Sequence, residues 1–290
     1  MLAPNGLFSI NRLKKESHRN ENIKTIRSLS TSSYQGNHQA VCRVLGKYLM
    51  FVSTLDERLG VQLQMNGFWE MNITEFIARN VSEGMTVIDV GANYGYFSML
   101  MAELTGTNGH VYALEANPIL SQLILKSSRV NGFERKINII NQAISDRSGT
   151  ELEFVYSDDS PMNGLLAENI SDQARKNHYP NTQKVRISSI DDLFKNEKSI
   201  DFIKIDIEGS EDKFWYGSHA VRSQNPQMVI LMEFNRARYN NVDDFINQIF
   251  EDGYSVTKLS YKKSLYEEMT VEDLLNSDTS HHMMLAIQKR

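Results

Sequence analysis

From Met85 to the C-terminus, short apolar runs alternate with stretches whose apolar residues recur every three or four positions. The runs are Val87–Val90, Val111–Leu114, Ile137–Asn141, Phe202–Ile207 and Met228–Glu233. They are too short for helices and mostly apolar at successive positions, which predicts strands buried on both faces. Between them the period lengthens. Phe97, Leu100, Met101 and Leu104 share one helical face, as do Phe245, Ile246, Ile249 and Phe250 ahead of Gly253. Asn117-Pro118 is a helix start with proline at the first helical position, and Gly132 is a stop. This alternation predicts a doubly wound α/β domain over 84–290, its mostly parallel sheet covered by helices on both sides. Its ligand belongs beyond the carboxyl ends of the strands, where the strand order reverses.

The remaining segments fill out the plan. Glu151–Tyr156 alternates and predicts an added antiparallel strand, and Tyr254–Leu259 with His282–Ile287 reads as an antiparallel hairpin closing the sheet edge. Residues 157–184 are polar, hold Pro161 and Pro180, and show no long element; loops of that length are often lids or substrate loops. Residues 41–83 form a small lead-in unit, with strand character over Val44–Ser53 and a helix over Met71–Asn80. Residues 1–40 read as a polar, basic, solvated extension with a short helix near Ile23, Ile26 and Leu29.

Charge narrows the partners. The net charge is -5, yet residues 1–40 carry six basic residues against Glu16 and Glu21, leaving the rest of the chain at -9. An acidic body argues against a nucleic-acid acceptor, because neutralising phosphates takes clustered Lys and Arg. Cys42 is the one cysteine, which suits a reducing cytoplasm and leaves no internal disulfide. No apolar run reaches transmembrane length, and the first residues lack the apolar core of a secretory signal.

Two stretches carry chemistry. In Val87-Ile-Asp-Val-Gly-Ala-Asn-Tyr-Gly-Tyr-Phe-Ser98 a strand runs into a glycine turn that opens a helix, and the next strand ends in an acid, Glu115. A glycine turn admits close approach of a ligand, and an acid at that point can accept two ribose hydroxyls. A dinucleotide fingerprint would place glycine where Asn93 stands, and the pyrophosphate of NAD needs that glycine. S-adenosylmethionine has no phosphate and needs room for its amino-acid tail plus an acid for its ribose. A nicotinamide-dependent oxidoreductase and a non-catalytic nucleoside-binding protein remain the alternatives on this layout.

The second stretch is Ile200-Asp-Phe-Ile-Lys-Ile-Asp-Ile-Glu-Gly-Ser-Glu211. Ionic groups rarely sit on a buried central strand without partners. Lys204 reads as internally paired, while Asp206 emerges at the strand end facing the ligand crevice. Gly209 permits a tight turn, and Glu211 opens a helix where its charge suits the dipole. Glu233 closes a further strand and precedes Arg236 and Arg238, which either hold an anionic acceptor or pair with local acids. His178 and His219 are weaker base candidates, and His281 and His282, as strand neighbours, point to opposite faces and make a poor chelate. No Cys/His cluster suggests zinc, and the carboxylate spacing does not by itself assign a metal.

Asp89-Val-Gly-Ala-Asn-Tyr-Gly-Tyr96, Glu115-Ala-Asn-Pro118 and Asp201-Phe-Ile-Lys-Ile-Asp-Ile-Glu-Gly-Ser-Glu211 closely resemble the FkbM family of methyltransferases. The resemblance runs from Gly67-Phe-Trp-Glu70 to Asn235 and includes Asn131-Gly132 and Ala143-Ile-Ser-Asp146. One departure is Ala116, where the family usually has proline; the carboxylate before it is unchanged. The resemblance implies a class I, Rossmann-like, S-adenosylmethionine-dependent methyltransferase, mostly acting on oxygen, whose acceptor is a small-molecule or glycan hydroxyl. It implies that Asp89, Gly91, Ala92, Asn93, Gly95 and Tyr96 surround the methionine half. Glu115 would bind the ribose, with Asn117 also in the cofactor site, Gln142 and Ala143 near the adenine, and Asp206 at the sulfonium end. The catalytic base is then a crevice carboxylate, in the order Glu208, Asp206, Glu211 and Glu233. Phe68, Trp69 and Met162-Asn-Gly-Leu-Leu166 are candidate lining for the acceptor.

Overall fold

The computed structural model describes residues 6–159, 164–167, 170–260 and 266–290. Its N-terminal part is a packed unit rather than the solvated extension expected over 1–40. Two short 3-10 turns lead into α1 (Arg19–Leu29), and a three-stranded antiparallel sheet follows: β1 (Ser32–Gly36), β2 (Gln39–Val44) and β3 (Tyr48–Ser53). Phe8, Ile10, Leu13 and Ile26 are buried in the same apolar cluster as β2 and β3. The composition break at residue 40 cuts through the β1–β2 hairpin, so it marks no boundary between folding units. Helices α2 (Leu59–Asn66) and α3 (Met71–Asn80) complete the unit. A buried ion pair pins α1 to α3: both Nε and a terminal nitrogen of Arg19 bond Glu75, at 2.8 and 2.6 Å.

The alternating region builds the main sheet. In chain order come β4 (Thr86–Val90), α4 (Tyr96–Leu104), β5 (His110–Leu114), α5 (Pro118–Val130), β6 (Ile137–Ile140), β7 (Ala143–Ile144) and β8 (Glu151–Tyr156). Then follow β9 (Leu165–Leu166), α6 (Asp172–His178), β10 (Asn181–Ser188), α7 (Ile190–Phe194), β11 (Phe202–Ile205), α8 (Glu211–Tyr216), α9 (His219–Gln224) and β12 (Val229–Phe234). The chain ends with α10 (Val242–Glu251), β13 (Tyr254–Leu259), β14 (Tyr266–Met269), α11 (Val271–Leu275) and β15 (Met283–Lys289). The eight-stranded sheet has the order β14-β13-β15-β12-β11-β4-β5-β6, parallel from β12 to β6. This is a doubly wound, Rossmann-like sheet. The order reverses beside β4, which places the ligand crevice between the β4 and β11 loops.

Residues on β4 and β11 alternate between two cores. Val87 and Phe202 join the cluster under α3, α4 and α5, while Ile88, Val90, Ile203 and Ile205 join the one under α7 to α10. That alternation puts Asp89 and Lys204 side by side, as register partners on the α4 face. The closing pair differs from a simple hairpin. β13 and β15 pair antiparallel as expected, but the chain between them passes through edge strand β14 and α11. The polar 157–184 stretch also holds structure. β9, α6 and the start of β10 lie there, and a second sheet of order β7-β10-β8-β9 stands over the crevice on an apolar cluster of Ala143, Phe154, Leu166, Val185 and Ile187.

Candidate active site

Beyond the ends of β4, β5 and β11 lies a cleft enclosing about 950 Å³, open solvent at its mouth included. One wall is the turn after β4. Gly91 and Ala92 donate their N–H groups to the Leu114 carbonyl at 2.9 and 3.0 Å, and Asn93 adopts a left-handed φ of 55°. In that conformation Asn93 N–H reaches Glu115 Oε2 at 2.7 Å, while Asn117 N–H reaches Oε1 at 2.8 Å. The Glu115 carboxylate is thus clamped at the wall by two backbone donors. Burial pushes it up to about 7, with those two donors pulling the other way.

The glycine turn owes its glycines to the protein itself. A Cβ on Gly91, at φ +75°, would stand 1.9 Å from the Asp206 carbonyl, so glycine is what lets the β4 turn pass the β11 loop. A Cβ on Gly95 would meet Ile124 at 3.1 Å, so this glycine faces α5 and does not line the cleft. Asp89 is also set back from it. It is fully buried behind the wall, accepts from Ser98 Oγ at 2.6 Å, and lies 3.8 Å from Lys204 Nζ. Asn117 likewise turns inward, capping α5 by accepting from Ile119 N–H. Asp89, Gly95 and Asn117 are thus set back from the cleft. Gly91, Ala92, Asn93, Tyr96, Glu115, Gln142, Ala143 and Asp206 do line the cleft.

Lys204 organises the floor. Its Nζ lies 3.3 Å from Asp206 Oδ2 and 5.2 Å from the centre of the Phe97 ring. Burial alone would depress this ammonium, but Asp206 and Asp89 outweigh it and hold it above its ordinary value. Strand β11 ends at Ile205, two residues earlier than its apolar pattern suggests, so Asp206 is the first residue of the loop. Glu208 follows at φ 56° and Gly209 at φ 100°.

The four candidate bases separate here. Glu211 is buried beneath the loop, where it accepts from Ile207 N–H at 2.9 Å, Gly209 N–H at 3.0 Å and the Tyr239 hydroxyl at 2.9 Å. It does not line the cleft, and its lone pairs are taken up by the loop and by Tyr239. Glu233 is held by Arg238 at 2.6 Å and by His282 Nδ1 at 2.9 Å. Burial would raise it, but the His282 hydrogen bond and the Arg238 guanidinium prevail and keep it below its ordinary range, which makes it a weak proton acceptor. Asp206 and Glu208 remain on the cleft wall. Asp206 is raised by burial and by Glu233, against Lys204. Burial and then Asp206 push Glu208 up to about 8, although Arg238 pairs with it directly. Arg236 bonds the Leu275 carbonyl at 2.6 Å, so both arginines have local partners. Carboxylate oxygens of Asp206, Glu208 and Glu233 lie within 4.8 Å of one another, a spacing that can hold a cation, and Arg238 already pairs with two of the three.

The opposite wall comes from outside the two motifs. Leu59 and Trp69 reach the cleft from the N-terminal unit, and Phe154, Gly164, Leu165 and Leu166 from the second sheet. Met162 and Asn163 lie outside the described residues, and Phe68 instead packs beneath Arg27. Glu70, adjacent to Trp69, holds a left-handed φ of 33° and is pushed up to about 7 by burial and by Asp206. No motif marks Leu59 or Phe154, and Glu70 shows only as the neighbour of an aromatic pair.

The family model of the methyltransferase FkbM domain matches residues 89–256. Protein-L-isoaspartate O-methyltransferases are similar over a short stretch. That of Methanococcoides burtonii is 46% identical over 53 residues, 18% of this chain and 26% of the relative. That of Methanothrix thermoacetophila is 46% identical over 44 residues, 15% and 21%. The matches therefore span about a quarter of these relatives' length. Among solved structures, methyltransferase FkbM from Methylobacillus flagellatus superposes with a TM-score of 0.44 at 16% identity, covering 81% of this chain and 57% of that one. An O-methyltransferase from Bacillus cereus in complex with S-adenosylhomocysteine gives 0.39 at 13% identity, covering 70% and 74%. With the family model matching more than half of this chain, the chain belongs to the FkbM family of S-adenosylmethionine-dependent methyltransferases.

Proposed function

We propose that this protein is an S-adenosylmethionine-dependent O-methyltransferase, that its acceptor is a hydroxyl of a sugar, polysaccharide or other natural product, and that Glu208 takes the hydroxyl proton. The observation that carries the reading is geometric: Glu208 stands on the cleft wall beside Asp206, held by Arg238, where burial raises it towards neutrality. A general base is most effective when it titrates close to the working pH. The acidic body of the chain favours a small or glycan acceptor over a nucleic acid.

The residues of the cleft suit the donor. Each Glu115 oxygen accepts one backbone N–H and keeps a lone pair free, which fits the two hydroxyls of a ribose. Asn93 Oδ1 is buried and has no hydrogen-bond partner among the described residues, which fits the ammonium of a methionine tail. Gln142 and Ala143 would border the adenine, and Asp206 the positive sulfur. Bound there, the donor supplies a methyl group already activated by its sulfonium and is left as a neutral thioether. The chain has two tasks left. Phe154, Leu165 and Leu166 present an apolar wall that excludes water. Glu208 accepts the acceptor's proton on a carboxylate oxygen as the oxygen nucleophile forms.

The test uses methyl-tritiated donor and the first hydroxyl acceptor that takes up label. Glu208→Gln lowers turnover by about 10²–10⁴ while S-adenosylhomocysteine affinity stays within about twofold of the parent. Parental turnover rises with pH towards a plateau above about 8, because only the ionised base acts. Full activity in the variant removes Glu208 from this role.

A further inference from the structure

Arg238 stands between two carboxylates of unequal character. One terminal nitrogen pairs with Glu208 and the other bonds Glu233 Oε2 at 2.6 Å. The second Glu233 oxygen is bound by His282 Nδ1 at 2.9 Å, and His282 Nε2 lies 3.3 Å from the guanidinium nitrogen that faces Glu208. If His282 donates Nδ1–H to Glu233, its Nε2 accepts from Arg238, so Glu233 and His282 together fix the plane of the guanidinium. The backbone adds to this arrangement. Glu208 has a left-handed φ that costs a non-glycine residue energy, and a Cβ on the next residue, Gly209, would touch Arg238 Cβ at 3.2 Å. The strained loop and the arginine are therefore fitted to one another.

We propose that Arg238 is the positioning residue for Glu208: anchored by Glu233 and His282, it holds the Glu208 carboxylate at the cleft wall and favours its charged form. The inference rests on the reading of Glu208 as the base, and it gives Glu233 a role as the anchor of Arg238 in place of proton transfer. It follows that Arg238 is engaged by the protein's own acids and is not the group that recognises an anionic acceptor.

The charges facing Glu208 come from several elements. Asp206 is on its own loop, Glu211 opens α8, Glu233 ends β12, Arg238 follows it, and Tyr179 precedes β10. Arg238 is the cation of this set, and Glu233 is one of its like charges. Removing each must move Glu208 in opposite directions.

The experiment needs no acceptor. Full-length protein carrying [δ-13C]glutamate is titrated by NMR from pH 5 to pH 10, and the Glu208 signal is assigned by its loss in Glu208→Gln. Arg238→Met raises the Glu208 midpoint by about one pH unit or more. Arg238→Lys, which keeps the charge but not the planar fork, gives a smaller rise and still reports if the methionine variant fails to fold. Glu233→Gln lowers the midpoint, because a like charge is lost while an amide oxygen remains for Arg238. An unchanged midpoint in the arginine variants, or a rise in Glu233→Gln, overturns the inference. Failure of the base reading is seen separately, as full methyl transfer by Glu208→Gln.

Discussion

Replacing Glu211 by alanine should unfold the protein more easily, and the cost should shrink as pH rises. The side chain accepts three hydrogen bonds, from Ile207 N–H, Gly209 N–H and the Tyr239 hydroxyl, in a site almost without solvent. Leaving a buried donor unsatisfied costs about 1–3 kcal/mol, so three would cost about 3–9 kcal/mol before the loop relaxes. Such terms are not additive, and about 4 kcal/mol is the expected loss at pH 5.5. Against this stands the burden of burying the charge. Burial raises Glu211 from 4.5 to about 7, so the parent gives up stability as pH climbs through that range. At about 1.4 kcal/mol per pH unit this reaches about 3 kcal/mol above pH 8, and the alanine variant is free of it. About 1.4 kcal/mol of this is already lost at pH 5.5, so between the two assay conditions the deficit should fall by about 2 kcal/mol, to about 2 kcal/mol at pH 8.5. Urea denaturation of both proteins at the two pH values measures it directly. A deficit under about 0.5 kcal/mol at pH 5.5, or one that grows with pH, would refute the assignment of Glu211 as the support of the Asp206–Ser210 loop.

Two further substitutions test the frame of the site. Gly91→Ala places a methyl group 1.9 Å from the Asp206 carbonyl at a left-handed φ, and should cost more than about 3 kcal/mol and abolish S-adenosylhomocysteine binding; calorimetric affinity equal to the parent's would contradict the close approach. Arg19→Ala leaves Glu75 buried without its guanidinium and should cost about 3–5 kcal/mol near neutral pH. Because burial holds Glu75 above its ordinary value, it protonates readily on acidification, so the Arg19→Ala deficit should narrow towards pH 4 in thermal melts.

How far each element could be read from the chain followed its solvent contrast. Glu151–Tyr156 and Tyr254–Leu259 have the bounds their patterning predicts, since each sets apolar against polar positions at one period; Met71–Asn80 also keeps its bounds, although Met71 to Ala78 are all buried. Strand β10 was invisible because its first half faces solvent; only Val185 and Ile187 carry the alternation. The N-terminal unit departs from the expected extension for the opposite reason. Its buried Phe8, Ile10, Leu13 and Ile26 are spaced out among charged residues, and its polar Glu75 contact lies 56 positions away from Arg19. At the site, the motifs located the cleft, but neighbours within a motif take different tasks. Glu115 faces the cleft while Asn117 caps a helix, and Glu208 faces it while Glu211 holds the loop from below. Residue spacing carries no record of which lone pairs the backbone has already used. The long-range network of Glu208, Arg238, Glu233 and His282 joins three segments, and no local pattern encodes it.

The central claim is that the cleft beside Glu115 takes an S-adenosyl donor. Isothermal calorimetry of the purified protein with S-adenosylhomocysteine and with NAD, side by side, tests it most directly. Saturable one-site binding of S-adenosylhomocysteine and no heat from NAD is the predicted result; binding of NAD alone, or of neither, would contradict it.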